Sequence, residues 1–190
     1  MRRRLLELRT LRGILLSGLL SGALLAIVMT AWQIGQRLPR AAAEPPAELR
    51  ERGLAFPVEG ASGEMTDSFD DPRGIARRHH AVDIMAPRGS PIRAVAAGTI
   101  VRLASGGAGG ITIHHLDSTE RYCYYYAHLQ GYAPGLREGQ SVSRGELVGY
   151  VGTTGNATAS APHLHFAISS ADGRNDCLNG TPINPYPLLR

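Results

Sequence analysis

The sequence predicts a mostly β fold, a compact antiparallel sheet folded on itself, preceded by one N-terminal transmembrane helix. Three observations predict it. From residue 56 onward, short apolar or β-branched runs are divided by glycine, proline and polar turns, the pattern of strands joined by tight connections. No run in that part keeps its apolar residues at the helical spacing of 3.6. Residues 13–32, by contrast, are twenty consecutive residues without a charge.

That run, "GILLSGLLSGALLAIVMTAW", would span roughly 30 Å as a helix, the thickness of a bilayer's hydrocarbon core. Residues 1–12 ahead of it carry Arg2, Arg3, Arg4, Arg9 and Arg12 against a single Glu7. This basic segment is expected to stay cytoplasmic and send the rest outward. A cleavable signal has a shorter apolar core closely followed by small residues, whereas "AAA" comes only at 41–43. The expectation is an uncleaved, single-pass anchor in the cytoplasmic (inner) membrane, with the C-terminal domain in the periplasm or outside the cell. Gly18 and Gly22 form a GxxxG, which can draw membrane helices into a weak homo-oligomer.

Residues 33–55 combine prolines, alanines and mixed charge. They read as a tether with one short helix, Ala47 to Arg52, stopped by Gly53. The folded domain is expected over 56–190. Its strands are expected in "PIRAVAAGTIVRLA" (91–104), "GGITIHHL" (109–116), "RYCYYYAHL" (121–129), "ELVGYVG" (146–152) and "HLHFAIS" (163–169), with "SGGAGG" (105–110) as a turn or loop.

Residues 1–52 hold nine Arg and four Glu, a balance of +5, so the chain's net +4 leaves −1 for residues 53–190. The basicity belongs to the anchor and its flank, and the outward domain lacks the basic footprint of a nucleic-acid binder. Cys123 and Cys177 lie in the part expected to be exported, where a disulfide can persist. Sequence alone leaves their pairing open.

The informative histidines occur in "RRHHAVDIMAPRG" (77–89), "YYYAHL" (124–129) and "APHLHF" (161–166). On a strand, residues i, i+2 and i+4 share a face. His79 and Asp83 would therefore share one, and so would His163 and His165. Hydrolytic zinc commonly takes three His or carboxylate ligands and leaves a fourth position for water. An HxxxD pair plus one histidine of HxH supplies such a set, and the other histidine would lie roughly 6–7 Å along the strand, near enough to handle a proton. His80 would point away with Val82 and Ile84. His114 and His115, with Asp117 near a hairpin turn, read as structural.

Taken in order, "HHAVDIMAPRGSPIRAVAAGTIV", "GGITIHH", "YYYAHL", "EGQSVSRGELVGYVGTTGNAT" and "PHLHF" closely resemble the lysostaphin-type, or LytM-like, zinc metallopeptidases that cut peptide cross-links in bacterial cell walls. The similarity covers about residues 66–168. The resemblance implies a compact antiparallel core with a narrow active-site groove, Zn2+ held by His79, Asp83 and His165, and His128 and His163 as catalytic histidines. It implies a peptidoglycan peptide as substrate. Ala81 replaces the usual glycine of HxGxD, Ala167 stands where glutamate is frequent, and the loop before HxH is slightly longer, which affects the rim of the groove. A second expectation is a non-catalytic LytM-like module that binds wall peptides or activates an amidase partner. The intact five-residue set argues against it. A closed structural zinc site is a third reading, and no fourth protein ligand stands beside the set to close it.

Overall fold

The computed structural model describes residues 44–61, 65–74, 77–173, 177 and 179–190. The expected anchor at 13–32 and the basic segment before it lie outside the described residues. No helix among those residues is long and apolar enough to cross a membrane.

Antiparallel strands dominate. After a short helix α1 (Ala47–Arg52) come β1 (Val82–Met85), β2 (Pro91–Arg93), β3 (Gly98–Ala104), β4 (Ile111–Asp117), β5 (Tyr122–Tyr132), β6 (Ser141–Val142), β7 (Leu147–Val151), β8 (His163–Ser170) and β9 (Pro182–Ile183). They form one sheet with the order β1-β8-β5-β4-β3-β6, while β7 pairs with β2 and β5, and β9 with β8. β5 is the spine. Its first half lies between β8 and β4, and after an irregularity near residue 128 its second half turns to β7.

Period-2 alternation decides what β5 and β8 bury. Tyr124, Tyr126, Leu164, Phe166 and Ile168 are at most 1% exposed and meet Ile84, Ile92, Ile113 and Leu129 in one core. A fully buried side chain of this size contributes about 1.5–3 kcal/mol. The intervening residues Tyr125, Ala127, His163 and His165 face the opposite side, and that side carries the candidate site.

Helix α1 spans the residues expected, with Gly53 at its C-cap in a positive-φ conformation. It is not free of the domain, however. Leu49 is fully buried and Leu54 nearly so, both within the main core, so the apolar core takes in residues upstream of Phe56. Arg52 and Arg121 share Glu48, and Arg52 also bonds Asp117. Burial alone would push the Asp117 carboxyl up. Hydrogen bonds from Thr119, Tyr122, Arg121 and Arg52 outweigh it and hold the group below its ordinary range.

Two departures from the expected strands have physical causes. The 91–104 run is two strands, because its first part pairs with β7 and its second with β4. The bend at 94–97 makes that change of partner, with Ala94 N–H donating to the Glu146 carbonyl and Ala55 N–H to the Val95 carbonyl. β9 pairs with β8 through only two residues, too few to show an alternating pattern. Cys123 and Cys177 are joined as a disulfide, which ties the segment after β8 to the spine strand.

His114 and His115, read from sequence as structural, both lie in β4. His115 is fully buried between Tyr124 and Tyr126. Burial pushes its imidazole down to about 4, against the opposing influence of Asp117. The folded domain therefore holds it neutral, while in the unfolded chain it takes a proton below about 6.5. Its contribution is complete above pH 6.5 and is lost as pH falls toward 4, by up to about 3 kcal/mol. Denaturant melts of the full-length chain at pH 7, 6, 5 and 4.5 should show stability declining through this window, and a flat profile would contradict the neutral buried state.

Candidate metal centre

The site is built on one row across three strands. Asp83 of β1 lies opposite His165 of β8, and His165 lies opposite Ala127 of β5. Directly opposed residues point to the same face, so Asp83 and His165 meet in front of the small Ala127. His79 reaches them from outside the sheet. It precedes β1 rather than lying on it, which corrects the expectation that His79 and Asp83 share a strand face. His80, between them, has φ +55°, and this left-handed turn breaks the strand period while still delivering His79. The exposed ring of His80 lies 5.4 Å from that of Phe69 and away from the buried Val82 and Ile84.

Three donor atoms converge there. His79 Nε2, Asp83 Oδ1 and His165 Nδ1 are each 3.0 Å from the other two, and among the described residues this set could hold a metal ion. Tetrahedral zinc with bonds of about 2.0–2.2 Å keeps its donors roughly 3.3–3.6 Å apart, close to the triangle observed. Two imidazole nitrogens and a carboxylate oxygen also suit zinc chemically.

Neighbouring groups aim the donors. His79 Nδ1 lies 3.1 Å from both the Ser68 carbonyl and the Ser68 hydroxyl. A carbonyl can only accept, so Nδ1 carries the hydrogen and Nε2 is left with a lone pair toward the triad. Arg73 Nη2 donates to Asp83 Oδ2 at 2.8 Å, which leaves Oδ1 alone in the triangle. Burial would raise the Asp83 carboxyl, but the contacts it makes with His165 and His79 outweigh burial and hold the group far below the usual carboxylate range.

The other two predicted site residues stand beside the triangle. His163 Nε2 is 3.9 Å from Asp83 Oδ1, and the His128 ring lies 4.9 Å from that of His163 and 5.6 Å from that of His165. Strand period would place His128 with Tyr126 on the core face. Instead His128 has φ +63°, and the β4–β5 register shifts between Ile111 and Ile113. This bulge inserts a residue and turns the side chain over to the open face.

Both of these histidines are fixed through Nδ1, His128 by the Thr154 carbonyl at 2.9 Å and His163 by the Ala161 carbonyl at 2.9 Å. In each neutral ring the hydrogen must then sit on Nδ1, leaving Nε2 as an acceptor. Burial lowers the His128 pKa most, and His163 and His165 add to that. The Thr154 bond and Asp83 oppose without reversing it.

The triad lies between two cavities. One, of about 340 Å3, holds Asp83, His128 and His163 against Asn156 and Gly109. The other, of about 450 Å3, runs past Arg102, His114 and Ile168. His79 and His165 line both, so a chain laid along the two cavities would cross the triad. Sequence reasoning missed Ser68, Thr154 and three arginines, Arg73, Arg77 and Arg78, on the wall of the smaller cavity. The arginines were visible as "RGIARR" directly before the histidines. The roles of Ser68 and Thr154 left no trace, because a backbone carbonyl does part or all of the work.

The sheet thus carries a His, Asp, His triangle that could hold a metal ion, with two further histidines beside it. The chain belongs to peptidase family M23, whose pattern matches residues 77–185. It is 31% identical over 150 residues to the L-Ala--D-Glu endopeptidase of Bacillus subtilis, an alignment covering 75% of this chain and 44% of that protein. The chain thus spans less than half the length of that relative. Among solved structures it resembles the catalytic domain of the antimicrobial peptidase lysostaphin from Staphylococcus simulans, with TM-score 0.53 and 26% identity, covering 76% of this chain and 97% of that one. It also resembles a zinc containing peptidase from Vibrio cholerae, with TM-score 0.52 and 25% identity over 63% of this chain and 37% of that one.

Thr154 links this geometry to stability. Its hydroxyl donates to the Leu129 carbonyl at 2.8 Å and accepts from Ile111 N–H at 2.9 Å, and its own carbonyl aims His128. Thr154→Val keeps the shape and removes both hydroxyl bonds. It should cost about 1–3 kcal/mol in denaturant melts, and no loss would mean that water satisfies both groups.

Proposed function

We propose that the chain is a zinc-dependent endopeptidase that hydrolyses peptide cross-links of bacterial peptidoglycan. His79, Asp83 and His165 hold the metal, and His128 and His163 handle protons. The observation that carries this reading is the 3.0 Å triangle of donor atoms with two carbonyl-anchored histidines beside it. Membership of family M23 and likeness to a named endopeptidase support it.

A zinc ion at such a triangle supplies Lewis acidity and brings the acidity of water toward pH 7. The chain's own residues do the rest. With Nδ1–H committed to a carbonyl, each neutral histidine offers Nε2 as a base, and once protonated the same atom donates to a carbonyl oxygen gaining charge or to a departing amine. One histidine neutral and the other protonated would divide the two tasks. The lowered pKa of His128 suits the neutral, accepting role.

We also propose that residues 13–32 anchor the chain in the cytoplasmic membrane, with the catalytic domain outside the cytoplasm. The uncharged run and its arginine flank support this, and so does the disulfide, which persists in oxidising compartments.

The test is digestion of defined muropeptides by the zinc-loaded full-length chain, with products identified by mass spectrometry. The chain should cleave a cross-link peptide bond. His163→Ala should retain zinc and lose at least about a hundredfold in rate, whereas His165→Ala should lose both. Full activity in His163→Ala would overturn its assignment. In the same assay the rate should fall in acid with a limb below pH 6.5, since the base is active only when neutral and its pKa is lowered. An acid limb centred above 6.5 would contradict the role given to His128.

A further inference from the structure

Of the three arginines beside the triad, Arg73 spends one nitrogen on Asp83, and neither Arg77 nor Arg78 serves the metal donors or the proton-handling histidines. Arg73, Arg77 and Arg78, close together in sequence, line the 340 Å3 cavity that also contains His128 and His163. Among the described residues lining it Asp83 is the only carboxylate, and both its oxygens are committed, one to the histidines and one to Arg73. The same cavity is also lined by small and neutral residues, Gly109, Asn156 and Thr158 among them.

The wall is held in place. Arg73 N–H donates to the Arg77 carbonyl at 2.9 Å, His79 N–H donates to the Asp71 carbonyl, and Pro72 bridges to Arg78. Arg78 is engaged by Asp70, donating to its carbonyl at 2.8 Å with its carboxylate 3.8 Å away. Arg73 spends one nitrogen on Asp83 Oδ2 and is about half exposed. Arg77 is exposed and has no carboxylate partner among the described residues. A domain with a net charge of −1 thus places three arginines at a cavity beside the triad.

Guanidinium groups bind carboxylates through paired N–H donors, and such bonds are stronger than neutral ones. We infer that the Arg73 and Arg77 wall is a subsite for a carboxylate carried by the peptide substrate close to the scissile bond. Resting on the endopeptidase reading, this deepens it: the preferred substrate is a peptide with an ionised carboxyl next to the cut, either its C-terminus or an internal acidic residue, rather than a neutral glycine bridge. A neutral or amidated peptide would leave Arg77 unpaired.

The test is equilibrium binding to the full-length chain stripped of metal, where no carboxylate can ligate a metal and nothing is hydrolysed. The probes are an acetylated stem-type peptide with free carboxyls, the same peptide amidated at its C-terminus, and the same peptide amidated only at its internal acidic residue. One of the two amidated peptides should bind about tenfold more weakly, and which one does so identifies the source of the carboxylate. Arg77→Gln, an exposed substitution, should reduce that preference to less than threefold while leaving the melting temperature unchanged. Equal binding of all three peptides, or a preference that survives Arg77→Gln, would overturn the subsite. Because no turnover is read, this outcome is independent of whether the zinc-loaded chain hydrolyses peptides.

Discussion

The register that sets β1, β8 and β5 side by side is the constraint on which the site depends. It places Asp83, His165 and Ala127 in one row. Strand side chains alternate with a period of two, so a slip of one residue would send His165 into the core and bring Phe166 out. The core opposes such a slip, because Phe166, Leu164 and Ile168 are buried by the same alternation that exposes the histidines. The hydrophobic packing behind the sheet therefore specifies the polar geometry in front of it.

Regular pairing does not finish the site. Two of its five histidine and aspartate positions depend on breaks in regularity, and each break lies at or beside a histidine in the left-handed region: His80, next to His79, and His128 itself. Such conformations are uncommon for residues other than glycine and cost of order 1–3 kcal/mol. At His128 the surrounding loops hold the break in place. Its N–H donates to the Gly109 carbonyl and its ring to the Thr154 carbonyl. Gly110 and Gly155 approach so closely that a Cβ on either would fall 2.2–2.4 Å from the other loop's atoms. The glycine-rich turn expected beside the sheet thus lets two loops interlock behind a histidine.

What could be read from the sequence follows from this division. HxH was legible because β8 is continuous through it, so two residues of separation means one face. The short helix from Ala47 to Arg52 was legible from Gly53 and its flanking charges, but its burial was not, since a single Leu49 among polar residues gives no periodic signal. His128 could not be placed from periodicity, which assigns it to the core. It entered through its "YAHL" motif alone. The approach of His79 depends on one left-handed residue, and nothing in "RRHHAVD" distinguishes that path from a continuing strand. The Cys123–Cys177 pairing depends on how the segment after β8 folds back, a long-range property.

Electrostatics follow from the same geometry. The Asp83 carboxylate stays ionised because it sits between two imidazoles and an arginine, a setting that also suits a dication. Both cysteines are bound to each other, so no thiolate is free to compete as a ligand. X-ray absorption at the zinc edge, with metal stoichiometry, on the full-length chain tests the triangle most directly. One zinc per chain with only nitrogen and oxygen neighbours at about 2.0–2.2 Å, two of them imidazole, is the result the geometry predicts. A chain that retains no zinc, or a zinc bound through sulfur, would contradict it.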